Sequence, residues 1–172
     1  MYPGVRTTEL DVLASEISAQ LITENPDYGI LASRIYVSSL HKETPLTFSK
    51  YIEECIDEFN ETFITNVNLN KNVLDSMIIN DNDYQFSYFA LKTLEKSYLV
   101  RKNGKVIERP QYMLMRVSVA LHGTNIEKIR ETYTLMSNKY FIHATPTMFN
   151  AGKKHQQLSS CFITQIHDDS ID

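Results

Sequence analysis

Apolar side chains that recur every three or four residues are the feature that most constrains the fold of this chain. This spacing places them on one face of an α-helix, where they can pack against a second element. Glycine and proline number only five each in 172 residues, too few for a turn-rich β architecture. We therefore predict a mainly α-helical fold. The periodic positions are Leu10, Leu13, Ile17 and Leu21, then Leu31 and Ile35, then Phe48, Ile52, Cys55, Ile56 and Phe59, and finally Ile126, Ile129, Tyr133 and Met136.

Capping patterns predict where these helices begin and end. Thr8 followed by Asp11 has the pattern of a capping box, in which side chains satisfy the first backbone N–H groups of a helix. Residues 25–27 (NPD) predict the end of the first helix and the start of a second, which ends near His41. Residues 124–127 (TNIE) predict another capping box, ahead of the last periodic segment.

The segments between the periodic helices have weaker patterns. Residues 60–72 are rich in asparagine and predict a loop, followed by a short helix at 73–79 and a polar turn at 80–83. Residues 84–94 are aromatic-rich and are compatible with a strand or a helix. Residues 109–122 open with an Arg-Pro pair, but their β-branched side chains weaken the prediction of a helix there.

The sequence predicts little β structure. Asn103-Gly104 lies between two short apolar runs and predicts a hairpin, because this pair accepts the positive φ angles of a tight turn. After Tyr140 we expect a loop and short strands, and residues 162–166 alternate as a strand does. A terminal strand without a partner in the sequence predicts that the chain is the front part of a longer protein.

Composition excludes several classes of function. A net charge of −4 provides no basic surface for DNA or RNA, although it permits small nucleotides. The two cysteines form no CxxC pair and the five histidines have no metal-ligand spacing, so we expect no zinc site. Because there is no 18-residue apolar run and no signal peptide pattern, we expect a soluble, cytoplasmic protein.

Residues 143–161 concentrate side chains suited to polar chemistry. Thr145, Thr147 and Ser160 carry hydroxyls that could bind phosphate together with backbone N–H groups. A proline and a glycine in this segment exclude a long helix. The same hydroxyls could equally serve in turns and caps, and His143 could be a hydrogen-bonded core residue.

The cysteines and the acidic end of the chain each allow more than one interpretation. Cys161 could be a redox thiol or nucleophile, or it could be a buried side chain that packs as a small hydrophobe. Cys55 lies on an apolar helical stripe, which predicts a place in the core. Residues 168–172 could form a solvated tail or the start of a helix that binds a ligand.

Seven segments of the chain, in order and with compatible spacings, closely resemble the large, catalytic subunit of class I ribonucleoside-diphosphate reductase. Each segment alone is weak, but seven collinear segments are highly specific. The resemblance covers essentially the whole chain. The segments are residues 7–11 (TTELD), 25–28 (NPDY), 40–43 (LHKE), 92–99 (KTLEKSYL), 108–119 (ERPQYMLMRVSV), 143–152 (HATPTMFNAG) and 158–162 (LSSCF).

This resemblance implies a helical N-terminal domain with one β-hairpin, followed by the first strands of the family's ten-stranded α/β barrel. The domain limits it implies are 1–45 for part of an ATP cone with linking helices, 46–140 for the helical domain and 141–172 for the start of the barrel. Long members of the family have further cone residues ahead of the point where Met1 joins the pattern.

The resemblance also implies a reaction, in which the 2′-hydroxyl of a ribonucleoside diphosphate is reduced to make DNA precursors. A thiyl radical removes the 3′ hydrogen of the ribose, and a pair of cysteines supplies two electrons and becomes a disulfide. Cys161 matches the first cysteine of that pair. Thr145 and Ser160 match positions that contact the substrate.

Two allosteric sites are implied as well. Asp169, Ser170 and Ile171 match the beginning of the specificity site, where ATP or a deoxynucleoside triphosphate biases the choice of substrate. Thr7 and Asp11 match ATP-binding residues of the activity site. Because the preceding part of the cone is missing, we expect this chain not to bind an activity effector by itself.

The partners implied are a second large subunit, a small metal-containing subunit that generates the radical, and thioredoxin or glutaredoxin as reductant. The chain itself is expected to hold no metal. The thiyl cysteine, the second redox cysteine and the radical-transfer tyrosines have no counterparts here, so we expect the 172-residue chain alone to be inactive. The alternatives are a non-catalytic helical module that binds a nucleotide or a subunit, and a stand-alone thiol redox protein, which the lack of a second thiol disfavours.

Overall fold

The computed structural model describes residues 4–163, and most of them lie in α-helices, as predicted. A two-stranded antiparallel hairpin interrupts the helices between the sixth and the seventh. The elements in this part of the chain are α1 (Thr7–Gln20), α2 (Asp27–Glu43), α3 (Phe48–Glu54), α4 (Glu61–Leu69), α5 (Lys71–Met77), α6 (Tyr88–Ser97), β1 (Arg101–Lys102), β2 (Lys105–Val106), α7 (Pro110–His122), α8 (Ile126–Ser137) and α9 (Thr145–Asn150).

Helix α7 is the centre of the fold. Its first ten residues, Pro110 through Val119, are all buried, and it packs against α4, α8 and α9. The sequence left the helical assignment of this segment uncertain, and the structure shows a helix. Pro110 is tolerated because it occupies the first turn, where no N–H donor is needed. β-Branched side chains at Val117 and Val119 are accommodated because the helix is surrounded by protein and its packing outweighs their propensity. This burial fixes the position of every element that contacts α7.

The helical pair α1–α2 forms as predicted, but the apolar face predicted for α1 is wrong. Leu13 and Ile17 are 49% and 48% exposed, whereas the small residues Ser15 and Ser18 are buried. Their hydroxyls donate to backbone carbonyls of the preceding turn, which satisfies them without a long-range partner. Leu31 of α2 is also exposed, at 46%. Small side chains allow close approach of the two helices. Apolar periodicity alone did not reveal that the face with Ser15 and Ser18 is the buried face of α1.

The start of α1 also differs from the prediction. The helix begins at Thr7, so Thr8 lies inside it rather than capping it. The N-cap is Arg6, whose backbone N–H donates to the Glu9 carboxylate. The glutamate three residues after the cap therefore completes the box, two residues earlier in the chain than the Thr8–Asp11 pattern suggested.

Residues 60–72 form helix where a loop was predicted, and this prediction is wrong. Asn60 caps α4, because its side-chain oxygen accepts from the Phe63 N–H at 2.8 Å. Phe63 and Val67 then face the core. Asparagine favours caps over helix interiors, and Asn60 and Asn70 lie at helix ends. Asn66, Asn68 and Asn72 lie within the two helices, where the packing of the apolar residues outweighs their low helix propensity.

The apolar stripe of α3, the hairpin turn and helix α8 agree with the predictions apart from single positions. Phe48, Ile52, Cys55 and Phe59 are buried together, although Ile56 is 48% exposed because a 3₁₀ turn at Ile56–Glu58 follows α3. Asn103 and Gly104 have φ angles of 51° and 78°, as the predicted hairpin turn requires. Helix α8 buries Ile129, Tyr133 and Met136, and its cap is Asn125, one residue after the predicted Thr124.

The segment after Tyr140 departs from the prediction of short strands. It contains α9, and its one β contact among the described residues is an isolated bridge between Lys153 and Phe59. Residues 161–163 are not in a strand. The remainder of the predicted strand, residues 164–166, lies outside the described residues. The segment 141–172, predicted as the start of the barrel, is described only as far as residue 163, and that part contains α9 and no strand.

Candidate functional site

The candidate site is built on α9, a helix of six residues that carries Thr145 in its first turn. Pro146 also lies in that turn, where the missing N–H costs no hydrogen bond. Thr145 is exposed, whereas Thr147 and Met148 face the core. The helix is short, so its orientation depends on what holds its two ends.

The C-terminal end of α9 is held by the side chain of Arg116 from α7. Arg116 donates to the carbonyl of Ala151 at 2.8 Å and to that of Met148 at 3.1 Å. Its guanidinium also binds the Glu108 carboxylate, with contacts of 2.7 and 3.2 Å. Both charged side chains are fully buried. Arg116 therefore satisfies carbonyls that the end of a helix leaves without intrahelical donors.

Burial and neighbouring groups keep Tyr51 and Arg116 of this network protonated. Burial lowers the pKa of Arg116, but the neighbouring Glu108 carboxylate and the Tyr51 hydroxyl outweigh it, and the net pKa is raised. Burial, and then the charge of Glu108, raise the pKa of Tyr51 well above its usual value. Tyr51 therefore stays protonated and donates to Glu108 at 2.8 Å. The other oxygen of the Glu108 carboxylate accepts from the Val100 N–H at 3.0 Å as well as from Arg116.

Gly152 turns the chain away from α9 and toward the cysteine. Its φ of 82° lies in the left-handed region, and a Cβ there would come within 3.0 Å of the Phe63 ring. Asn60 fixes the turn from the other side, since its amide nitrogen donates to the carbonyls of Gly152 and Lys153, each at 3.1 Å. Glycine at this position is required by both the backbone angle and the close approach of α4.

Two hydrogen bonds then hold the returning segment beside α9. The Thr147 hydroxyl donates to the Leu158 carbonyl at 3.2 Å, and the Asn150 amide donates to the Gln157 carbonyl at 2.8 Å. Thr147 is therefore a structural residue, and its hydroxyl proton is already used. Of the three hydroxyls that the sequence offered for phosphate, Thr145 and Ser160 are the exposed ones.

Cys161 lies at the end of this segment as an exposed, free thiol. This exposure contradicts the interpretation of Cys161 as a buried hydrophobe. Its Sγ is 3.7 Å from the hydroxyl of Ser160, within reach of a weak hydrogen bond to sulfur. Cys55, the other cysteine, is buried in the core as predicted, and burial raises the pKa of its thiol to about 11. Only Cys161 is therefore presented for chemistry with a ligand.

Thr145 borders an apolar groove of about 580 Å³ that runs between α6 and the approach to α9. The Thr145 hydroxyl lies 3.2 Å from the hydroxyl of Tyr98. The Tyr98 ring stacks on Phe149, with centroids 4.7 Å apart and an interplanar angle of 16°. Within the described residues, no hydrogen bond joins Thr145 to Ser160 or Cys161, so the structure places them on neighbouring segments rather than in direct contact.

His143 enters the same groove but is not the hydrogen-bonded core residue that the sequence allowed. Its Nε2 atom is buried and has no hydrogen-bond partner in the part of the chain that the structure describes. The ring meets Phe141 edge-on at 5.2 Å. Burial, and then the charge of His122, lower the pKa of His143, so the imidazole is neutral at physiological pH.

The residues predicted for the activity site lie in α1, and those predicted for the specificity site lie outside the described residues. Thr7 is the first residue of α1 and is exposed, and Asp11, one turn later, accepts from Lys42 of α2 at 3.0 Å. An exposed ion pair of this kind contributes little to stability. Asp169, Ser170 and Ile171 lie outside the described residues.

Among residues 4–163, no cluster of three or more histidine, cysteine or acidic side chains could hold a metal ion. None of the helices between these limits is long and apolar enough to cross a membrane.

Sequence reasoning missed the residues that support the site. Glu108, Arg116, Asn60 and Tyr98 all contact α9 or its flanking turn, or bind a residue that does. The one available signal was a charged pair, Glu108 and Arg116, in an otherwise apolar segment, since buried charges require partners. The contacts of Asn60 and Tyr98 span 92 and 47 residues and have no local signal.

Comparison with known proteins identifies the class to which this helical fold belongs. Residues 84–156 match the family model for the all-alpha domain of ribonucleotide reductase. They run from the end of a 3₁₀ turn, Asn80–Gln85, that precedes α6 to the segment after α9. The fold around α7 is therefore that of a reductase all-α domain.

Similarity extends over the whole chain and specifies the subunit. The chain is 49% identical to ribonucleoside-diphosphate reductase large chain 2 of Saccharomyces cerevisiae, 50% to the large chain of Schizosaccharomyces pombe and 48% to the large subunit of Vaccinia virus. Each alignment covers 100% of this chain. The chain belongs to the family of ribonucleoside-diphosphate reductase large subunits. It spans 21–24% of the length of these relatives.

Proposed function

We propose that this chain contributes the N-terminal part of the catalytic subunit of a class I ribonucleoside-diphosphate reductase. The observation that carries the proposal is identity of about half over the full chain, together with an exposed thiol beside α9. The subunit would reduce ribonucleoside diphosphates to deoxyribonucleoside diphosphates in the cytoplasm. The 172 residues alone would lack the second redox cysteine and would not complete a turnover.

Cys161 would act as one half of the redox dithiol. Reduction at the 2′ carbon replaces a hydroxyl by hydrogen and consumes two electrons, and the oxygen leaves as water. Two thiols supply these electrons when their sulfurs join as a disulfide. Cys161 suits this role because it is exposed, whereas buried Cys55 cannot approach a second thiol without unfolding the core. The second sulfur would come from a cysteine in the remainder of the subunit.

Thr145 and Ser160 would contact the substrate. Both are exposed, and they lie on two segments that hydrogen bonds hold side by side. A hydroxyl can donate to an anionic oxygen and accept from a ribose hydroxyl, which suits a nucleoside diphosphate. The rigid attachment of α9 to Arg116 would keep these groups in place while the substrate binds.

The remaining assignments follow the family and extend this proposal. Residues 1–45 would form part of an ATP cone with linking helices, 46–140 the helical domain and 141–172 the start of the barrel. Asp169, Ser170 and Ile171 would open a specificity site for ATP or a deoxynucleoside triphosphate. Thr7 and Asp11 would belong to a partial activity site. The partners would be a second large subunit, the radical-generating small subunit and thioredoxin or glutaredoxin.

The role of Thr145 predicts a defect in substrate binding when its hydroxyl is removed. We expect Thr145→Val to raise the KM for a ribonucleoside diphosphate by about two- to tenfold, the range expected for one hydrogen bond, with kcat nearly unchanged. The assay would use a chimera in which this chain replaces the matching stretch of the Schizosaccharomyces pombe large chain, reconstituted with its small subunit.

The matched control is Thr65→Val, which removes an exposed threonine hydroxyl on α4 that donates only to the carbonyl of Glu61. We expect the control to leave KM at the parental value. An unchanged KM in the Thr145→Val chimera would contradict a contact between this hydroxyl and the substrate.

A further inference from the structure

We propose that Tyr98 is a positioning residue that orients the hydroxyl of Thr145 toward the substrate, an inference that rests on the proposed function. The Tyr98 and Thr145 hydroxyl oxygens are 3.2 Å apart. Thr145 and Phe149 are four residues apart in α9 and therefore share one face of the helix. The Tyr98 ring stacks on Phe149 while its hydroxyl reaches Thr145, so one side chain contacts both residues of that face.

Tyr98 is well placed to act as a fixed support. It directly follows α6, and its N–H donates to the Leu94 carbonyl at 2.8 Å. The next two residues, Leu99 and Val100, are buried. The Val100 N–H binds the same Glu108 carboxylate that holds Arg116. The buried pair Glu108–Arg116 thus holds the segment that follows Tyr98 as well as the C-terminal end of α9.

The direction of the hydrogen bond gives Tyr98 a chemical role. A threonine hydroxyl has one proton to donate and two lone pairs that accept. When Tyr98 donates to the Thr145 oxygen, the Thr145 proton remains available for a substrate oxygen. Because a phosphate oxygen can only accept hydrogen bonds, its binding favours the arrangement in which Tyr98 donates to Thr145 and Thr145 donates to the phosphate. Without the Tyr98 hydroxyl, the Thr145 side chain can rotate among its staggered conformations, and binding must fix it.

The test is Tyr98→Phe in the same chimera, because phenylalanine keeps the ring that stacks on Phe149. We expect the KM for a ribonucleoside diphosphate to rise by about two- to tenfold, while kcat stays near the parental value. Tyr112→Phe is the matched control, since it removes a hydroxyl that donates to the Pro45 carbonyl at 3.0 Å, away from α9. We expect the control to leave KM unchanged, and the melting curve of Tyr98→Phe to follow that of the parent.

The double variant Tyr98→Phe/Thr145→Val separates positioning from other roles. If Tyr98 acts through Thr145, the double variant will have the KM of Thr145→Val alone. An equal further rise in KM in that background would overturn the inference, because Tyr98 would then act independently. An effect of Thr145→Val without any effect of Tyr98→Phe would overturn the inference and leave the proposed function standing. No effect of Thr145→Val would overturn both the inference and the substrate contact proposed for Thr145.

Discussion

Replacing Arg116 with methionine is expected to lower the free energy of unfolding of this chain by about 3–5 kcal/mol, the range for breaking a buried ion pair from one side. Methionine approximates the length of the arginine stem but leaves the Glu108 carboxylate buried without its partner. It also removes the donors to the Met148 and Ala151 carbonyls. Because the chain has no tryptophan, far-UV circular dichroism during urea unfolding is the suitable measurement.

Two further variants show which property of Arg116 matters. Arg116→Lys keeps the charge but cannot reproduce the forked contacts, so we expect an intermediate loss. Glu108→Gln combined with Arg116→Met removes both charges, and its cost should be smaller than the sum of the two single costs. A free energy of unfolding for Arg116→Met within about 1 kcal/mol of the parent, the typical effect of a point mutation, would contradict the role assigned to this pair.

Replacing Cys161 with serine in a complete large subunit is expected to abolish multiple-turnover reduction of ribonucleoside diphosphates. Serine preserves the size of the side chain, but its oxygen cannot form the disulfide that stores the two electrons. Substrate binding should survive, because α9 and Thr145 do not depend on the sulfur. The measurement is deoxynucleotide formed per chimeric subunit in the presence of excess thioredoxin or glutaredoxin.

Cys55→Ala is the matched control for this experiment. It removes the only other cysteine of the chain, and we expect turnover to continue because Cys55 belongs to the hydrophobic core. Parental turnover by the Cys161→Ser chimera would contradict the redox role of Cys161. Loss of turnover in the Cys55→Ala control would instead point to damage of the hydrophobic core.

Local signals predicted the elements that depend on local physics. The helix α8 follows from the spacing of Ile129, Tyr133 and Met136, and the hairpin follows from the freedom of Asn103-Gly104 to adopt positive φ angles. Prediction failed where a polar residue had two possible uses. Asn60 could mark a loop or cap a helix, and its contacts with residues near Gly152, far along the chain, accompany the second use.

The residues of the candidate site likewise fall into those that local signals predicted and those that depend on distant contacts. Its exposed residues, Thr145, Ser160 and Cys161, could be proposed from residue chemistry and from the resemblance to a known family. Its supports could not, because Arg116 and Tyr98 act through contacts across tens of residues that depend on the assembled core. The face of α1 failed for a related reason, since close helix packing selected Ser15 and Ser18 over larger apolar side chains.

If Cys161 is oxidised as the substrate is reduced, the state of its thiol after a single reaction will reveal the oxidation. The complete subunit would react with a ribonucleoside diphosphate without external reductant, be denatured and alkylated, and be mapped by mass spectrometry. We expect Cys161 to resist alkylation and to appear in a disulfide-linked peptide, with about one disulfide per deoxynucleotide formed, because each reduction takes two electrons. Full alkylation of Cys161 after deoxynucleotide has formed would contradict the redox role of this cysteine.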